Sequence, residues 1–171
     1  MTAVSSEPSL PADDLRRYRR TLGAFPTGVT VITAGHEGRL VGVTANSFTS
    51  FSLEPPLVLW ALKATSPSLE VFRASGHFTV NVLAWHQDDL SMRFATPAED
   101  KFAGLEIEVG LGGAPLLSGC AARFETRLAH EYVNGDHVLL FGEVLRYQNF
   151  HREPLVFLRG DHRRLDQPLI G

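Results

Sequence analysis

The apolar positions of this chain fall into one helical stretch followed by a long series of strand-like segments. Leu15, Tyr18, Leu22 and Phe25 recur three or four residues apart, which puts them on one helical face. Asp13 or Asp14 offers the N-cap oxygen, and Pro26 and Gly28 stop the helix. Its wet side carries Arg16, Arg17, Arg19 and Arg20, read as a solvated face in preference to an anion-binding cluster. After Gly28 the period drops to two. Val29, Val31 and Thr33 alternate with Thr30 and Ile32, and Gly35-His36-Glu37-Gly38 turns the chain into a return strand over 39–44. Pro55-Pro56 blocks regular pairing and leads into 57–62, a continuous apolar run that predicts a central strand covered on both faces. Residues 66–73 and 87–94 read as short helices, with a strand over 77–83 between them.

The last third is more plainly β. Segments 121–132 and 137–147 flank Asn134-Gly135, a dipeptide that readily takes the positive φ of a tight hairpin turn. The second of these strands has bulk on both faces, Val138, Leu140 and Val144 against Leu139, Phe141 and Leu145. A closed barrel that also packs on a second subunit would use both. A final strand is predicted over 155–158. The expectation is therefore a mainly β fold with flanking helices, one domain over 12–166 between a flexible tail at 1–11 and a C-terminal tail at 167–171.

Composition narrows the chemistry. A chain of 171 residues with 44% hydrophobic content suits one core, and a net charge of −3 argues against a nucleic-acid partner. The single cysteine, Cys120, cannot form an internal disulfide, so the cytoplasm is the default compartment. No apolar run approaches the roughly 20 residues that span a bilayer, and the polar N-terminus lacks the order of a signal peptide, so no membrane partner is expected. His36, His77, His86, His130, His137, His151 and His162 show no ligand spacing, and no metal is expected. There is no Gly-x-Gly-x-x-Gly, no Gly-x-x-x-x-Gly-Lys-Ser/Thr, no His-Glu-x-x-His and no Gly-x-Ser-x-Gly. Rossmann, phosphate-loop, zinc-protease and serine-hydrolase chemistries lose their main support.

One segment carries positive information. Thr44, Asn46, Ser47, Thr49, Ser50 and Ser52 put five hydroxyls and an amide into nine positions beside an apolar strand, a composition suited to hydrogen-bonding a planar, polar-edged ligand.

Taken in order, Gly23-Ala24-Phe25-Pro26-Thr27-Gly28-Val29-Thr30-Val31-Ile32-Thr33, Thr44-Ala45-Asn46-Ser47-Phe48-Thr49-Ser50, Leu53-Glu54-Pro55-Pro56-Leu57, Phe78-Thr79-Val80-Asn81-Val82-Leu83, Arg93-Phe94-Ala95, Lys101-Phe102-Ala103-Gly104 and Gly135-Asp136-His137 resemble the short-chain flavin reductase family, the reductase components of two-component flavin-dependent monooxygenases. The resemblance spans about residues 15–165. It implies a split β-barrel of the FMN-binding type, usually a homodimer, that binds FMN or FAD without a Rossmann fold and reduces it with NADH or NADPH. The reduced flavin would then pass to a partner monooxygenase.

The resemblance also implies roles. Asn46, Ser47, Phe48, Thr49, Ser50, Ser52 and Leu53 match the segment that runs along the flavin. Ser66, in a Ser-x-Ser turn opening a helix, would face the phosphate, with Lys63 a less secure neighbour. Arg93, Phe94 and Lys101 match positions that hold the phosphate and outer portion of the cofactor. His137 matches the histidine near the nicotinamide, and Phe157, Leu158, Arg159 and Gly160 match a segment lining the same side. Family members often carry tyrosine where this chain has His162. Two alternatives share the flavin: a split barrel that keeps it tightly bound, as pyridoxamine-phosphate oxidases do, and a non-enzymatic flavin-binding module.

Overall fold

In the computed structural model, which describes residues 12–165, the chain order is α1 (Ala12–Leu22), β1 (Thr27–Gly28), β2 (Thr30–His36), β3 (Arg39–Ala45), β4 (Thr49–Leu53), β5 (Pro56–Lys63), α2 (Leu69–Ser75), β6 (His77–Val82), α3 (Asp88–Ala95), β7 (Ile107–Val109), β8 (Pro115–Leu117), β9 (Ala122–Asn134), β10 (His137–Asn149), β11 (Val156–Leu158) and β12 (Asp161–Arg163). The tails assigned to 1–11 and 167–171 lie outside the described residues.

Seven strands form one antiparallel sheet in the order β3-β2-β6-β9-β10-β5-β4. Its spine is the β9–β10 hairpin, two strands of 13 residues each. Register shifts leave Ala129 as an extra residue on β9 and Leu145 as an extra residue on β10, which bends the hairpin and lets the sheet coil. Two small sheets complete the mainly β, split-barrel architecture: β1-β11-β12 and β7-β8.

Two apolar clusters lie on the two faces. Ile32, Ala34, Trp60, Phe72, Phe78, Val80 and Leu140 build the first, where Trp60 meets Phe72 and Phe78 edge-on. Val29, Val31, Leu83, Phe94, Phe102, Leu117, Cys120 and Leu155 build the second. Alternation along β2 therefore feeds both clusters, and its first six positions are buried. Asn81 ties the second cluster together: its Nδ2 donates to Val31 O and Thr33 Oγ1 at 3.1 Å each, and its Oδ1 accepts the Leu117 N–H at 3.1 Å. A buried amide so satisfied fixes β8 against β2 and β6.

Several expectations need correction. The 57–62 run is second from the sheet edge, not central. Val58, Trp60 and Leu62 are buried while Leu57, Leu59 and Ala61 are half-buried, so only one face is fully covered. The seven-stranded sheet does not close, since β3 and β4 are its edges. Helix α1, Ala12–Leu22, already includes positions 13 and 14, and Leu15, Tyr18, Leu22 and Phe25 are all exposed. The helix is tethered at its end, where Arg159 N–H donates to Gly23 O at 2.8 Å. Helix α2 begins at Leu69, three residues after Ser66. The β9–β10 loop is Gly135-Asp136, one residue later than expected, and Gly135 (φ 59°) supplies the left-handed backbone. The edge strand β4 and the short strands β1, β7, β8 and β12 carry no sequence signal strong enough to announce them.

Candidate functional site

Two clefts flank the hydroxyl-rich segment. The first, about 710 Å³, lies between β3, the turn before α2, and the chain that follows α3, and is lined among others by Thr44, Ser66, Ser68, Phe94 and Lys101. The second, about 610 Å³, lies between the end of α1, residue 46 and the β11–β12 turn, and is lined among others by Phe25, Asn46, Phe157, Arg159 and Gly160. Both volumes are in the range of pockets that take small molecules.

In the first cleft, Lys101 Nζ donates to Phe94 O at 2.8 Å and Gly42 O at 3.4 Å. Burial pushes this ammonium below its ordinary pKa. Gly42 makes the arrangement possible: a Cβ there would stand 2.4 Å from the Phe94 ring and 3.2 Å from Phe102. The Phe94 ring is 1% exposed and packs edge-on against Phe102 with centroids 5.0 Å apart, so it serves as core beneath the cleft. Arg93 Nη2 donates to Ala103 O and so pins the loop that carries Lys101. Ser66 Oγ accepts the Ser68 N–H at 3.3 Å and keeps its own proton to donate.

The hydroxyl-rich segment divides. Thr44 Oγ1 donates to Ser91 O at 2.6 Å, and Ser47 Oγ bridges both backbone groups of Ala61, at 3.0 and 3.3 Å. Phe48 packs on Phe124 with centroids 5.7 Å apart. Asn46, Thr49 and Ser50 are exposed, Ser52 is half-buried, and Leu53 stands 92% exposed beyond them on the edge strand.

His137 opens β10, opposite Lys63 on β5. It borders neither cleft. Its Nδ1 lies 2.7 Å from Asp136 Oδ1, and that contact holds the Asp136 carboxyl below the usual carboxylate range. Facing a carboxylate, Nδ1 is the nitrogen that carries the proton. Leu158 is half-buried within β11. Of the residues singled out from sequence, Ser66, Phe94 and Lys101 line the first cleft, Asn46, Phe157, Arg159 and Gly160 line the second, His137 lies at the hairpin beside the end of β5, and Ser47, Phe48, Thr49, Ser50, Ser52, Leu53, Arg93 and Leu158 line neither cleft.

Two features escaped the sequence reading. Arg19 and Arg20, taken as a solvated face, line the second cleft together with Arg159. His162 Nε2 lies 3.1 Å from the buried Ser91 Oγ, and its ring meets Phe157 with centroids 5.8 Å apart, so it links the β11–β12 hairpin to α3. Neither has a local motif, since each depends on where the chain ends of α1 and β12 fold. Among the described residues no group of three or more His, Cys, Asp or Glu is placed to hold a metal ion, and no helix is long and apolar enough to cross a membrane.

Comparison with known proteins places this geometry. The chain is 43% identical over 150 residues to a probable flavin reductase of Rhizobium meliloti, covering 87% of this chain and 48% of that one, so it spans about half the length of that relative. It is 41% identical over 155 residues to the FMN reductase (NADH) SmoA of Agrobacterium fabrum, covering 91% of this chain and 88% of that one. The crystal structure of nitrilotriacetate monooxygenase component B from Mycobacterium thermoresistibile superposes with a TM-score of 0.88 at 39% identity, over 94% of this chain and 90% of that one. Residues 22–166, from the end of α1 past β12, match the model described as a flavin reductase like domain, and the chain belongs to that family.

Proposed function

We propose that this chain is an oxidoreductase that uses NADH or NADPH to reduce FMN or FAD, and that it supplies reduced flavin to a partner monooxygenase. The observation that carries this is the pair of clefts on either side of residues 44–46, with Thr44 lining one and Asn46 the other. Two ligands can thus approach one segment from two directions. The SmoA relative, named for FMN and NADH, and the monooxygenase component B structure support the same reading.

The residues present fit a flavin phosphate. Lys101 has two of its three N–H groups on carbonyls and keeps one for an anion, and Ser66 has a hydroxyl proton to give. Asn46, Thr49, Ser50 and Ser52 supply polar groups along β4 and the turn before it, where a planar, polar-edged ring would lie.

A bound flavin would supply the hydride-accepting chemistry towards a reduced nicotinamide, and that chemistry resides in the two ligands. The protein's part is alignment and charge. Holding both ligands on one segment turns a two-body encounter into a fixed approach. Donors on the 46–52 segment meet negative charge as it develops on the polar edge. His137, held by Asp136 at the hairpin outside both clefts, is assigned to the nicotinamide side by the resemblance alone. Release of the product requires only moderate affinity.

The test is anaerobic mixing of purified protein with each pairing of NADH or NADPH and FMN or FAD. Oxidation of the nicotinamide in proportion to protein, above the flavin-only background, is expected for at least one pairing. Rates equal to background for all four would exclude a reductase.

A further inference from the structure

Ser91 sits on α3 where three elements meet, and it is buried. Its carbonyl accepts the Thr44 hydroxyl of β3 at 2.6 Å, and Thr44 lines the first cleft. Its own Oγ lies 3.1 Å from His162 Nε2 on β12. A serine hydroxyl can give or take the proton, so this contact holds for either tautomer of the imidazole. Phe94, three residues along α3 and therefore on the same helical face, lines the first cleft. On the other side, the His162 ring meets Phe157, which lines the second cleft and pairs with Thr27 on β1. A chain of contacts thus runs from the first cleft through Thr44, Ser91 and His162 to Phe157 in the second.

The β11–β12 hairpin depends on such a link. β12 is three residues long and pairs with β11 alone among the described strands. Backbone hydrogen bonds fasten only the opposite side of the hairpin, β11 to β1 and Arg159 N–H to Gly23 O. Within β12, Asp161 and Arg163 pair with each other, which leaves His162 as the side chain that ties the strand to α3. Arg164, beyond the strand, is held by Glu153 and lies over Trp85, neither of which lines a cleft.

We propose that His162 is a positioning residue for transfer between the two clefts: through Ser91 it holds the wall formed by residues 157–160 in register with residues 44–46. This deepens the reductase reading and rests on it for the identity of the two ligands. A misplacement of about 1 Å can cost roughly a hundredfold in transfer rate. Each ligand alone can follow its own wall, so the loss appears in the rate and not in affinity.

Two substitutions separate the hydrogen bond from the packing. His162→Phe keeps a ring against Phe157 and removes the nitrogen, whereas His162→Gln keeps an amide near the place of Nε2 and removes the ring. Ser91→Ala removes the other partner. In anaerobic turnover with the most active nicotinamide and flavin pairing at saturation, His162→Phe and Ser91→Ala should each lower the rate roughly tenfold or more, and the double variant should be no worse than either. His162→Gln should stay close to the parent, and the dissociation constants of the flavin and of the oxidised nicotinamide, each measured alone, should stay within about twofold in every variant. Amide hydrogen exchange on the ligand-free protein reads the same link without turnover. Residues 157–163 should exchange faster in His162→Phe and Ser91→Ala and at the parent rate in His162→Gln. A parent without turnover that shows this exchange pattern would count against the reductase reading and support the link. Unchanged exchange in His162→Phe and Ser91→Ala would overturn the proposal. In an active parent, so would unchanged rates in those two variants, multiplied losses in the double variant, affinity losses as large as the rate losses, or a His162→Gln variant as impaired as His162→Phe.

Discussion

Lys101 shows how a single side chain joins packing to chemistry. Its ammonium holds the main chain of β3 and α3 together through Gly42 O and Phe94 O, and the same ammonium borders the first cleft. Lys101→Met should weaken FMN binding about tenfold, as loss of a charge-assisted hydrogen bond does, while riboflavin affinity stays near its original value. Fluorescence titration of both ligands measures this, and equal losses would remove the phosphate from Lys101. Gly42 sets the floor on which that lysine rests. Gly42→Ala would force a methyl to within 2.4 Å of the Phe94 ring and should destabilise the fold by about 1–3 kcal/mol in urea unfolding. Cys120 is a counter-example, a nucleophile type with no site. Burial pushes its thiol up to about 11, so at pH 8 the native protein should resist iodoacetamide and become labelled only on unfolding. Rapid labelling of the native chain would mean that the β8–β9 connection opens.

At the scale of elements, the alternating strands and the long hairpin were legible because their signals are local. Val29 to Thr33 alternate, and Gly135 supplies the one left-handed residue of a two-residue loop. What was not legible depends on distant partners. The apolar run at 57–62 has the composition of a fully covered strand, yet its place near the sheet edge follows from pairing with β10 and β4. The exposed stripe of α1 obeys helical spacing perfectly well, but spacing states which residues share a face and not what covers it. The site divides the same way. Ser66 and Lys101 could be named one by one from the resemblance, whereas the place of Arg19 and Arg20 beside the second cleft required knowing that α1 ends against Arg159. Asn81 offers a test of how strongly the elements are locked. Asn81→Leu strips the Leu117 N–H of its acceptor and two acceptors of their donor, and should cost about 2–4 kcal/mol, with the Leu117 amide losing most of its hydrogen-exchange protection.

For the whole molecule, the account joins an open sheet, two clefts and an exposed apolar edge. Phe51 packs edge-on against Phe141 with centroids 5.2 Å apart, yet Phe51 is exposed, as are Leu53, Tyr147 and Leu145. These exposed apolar side chains on β4 and β10 offer a seat for the homodimer that the resemblance implies. Leu53→Glu should shift the sedimentation coefficient from dimer towards monomer. A wild-type chain that sediments as a monomer at micromolar concentration would contradict that arrangement. The central claim is that one segment, residues 44–53, receives the flavin between the two clefts. A crystal structure of the protein with FMN tests it most directly. The account predicts the phosphate between Ser66 and Lys101 and the ring along Asn46 to Leu53. FMN bound elsewhere on the molecule, with this segment untouched, would contradict it.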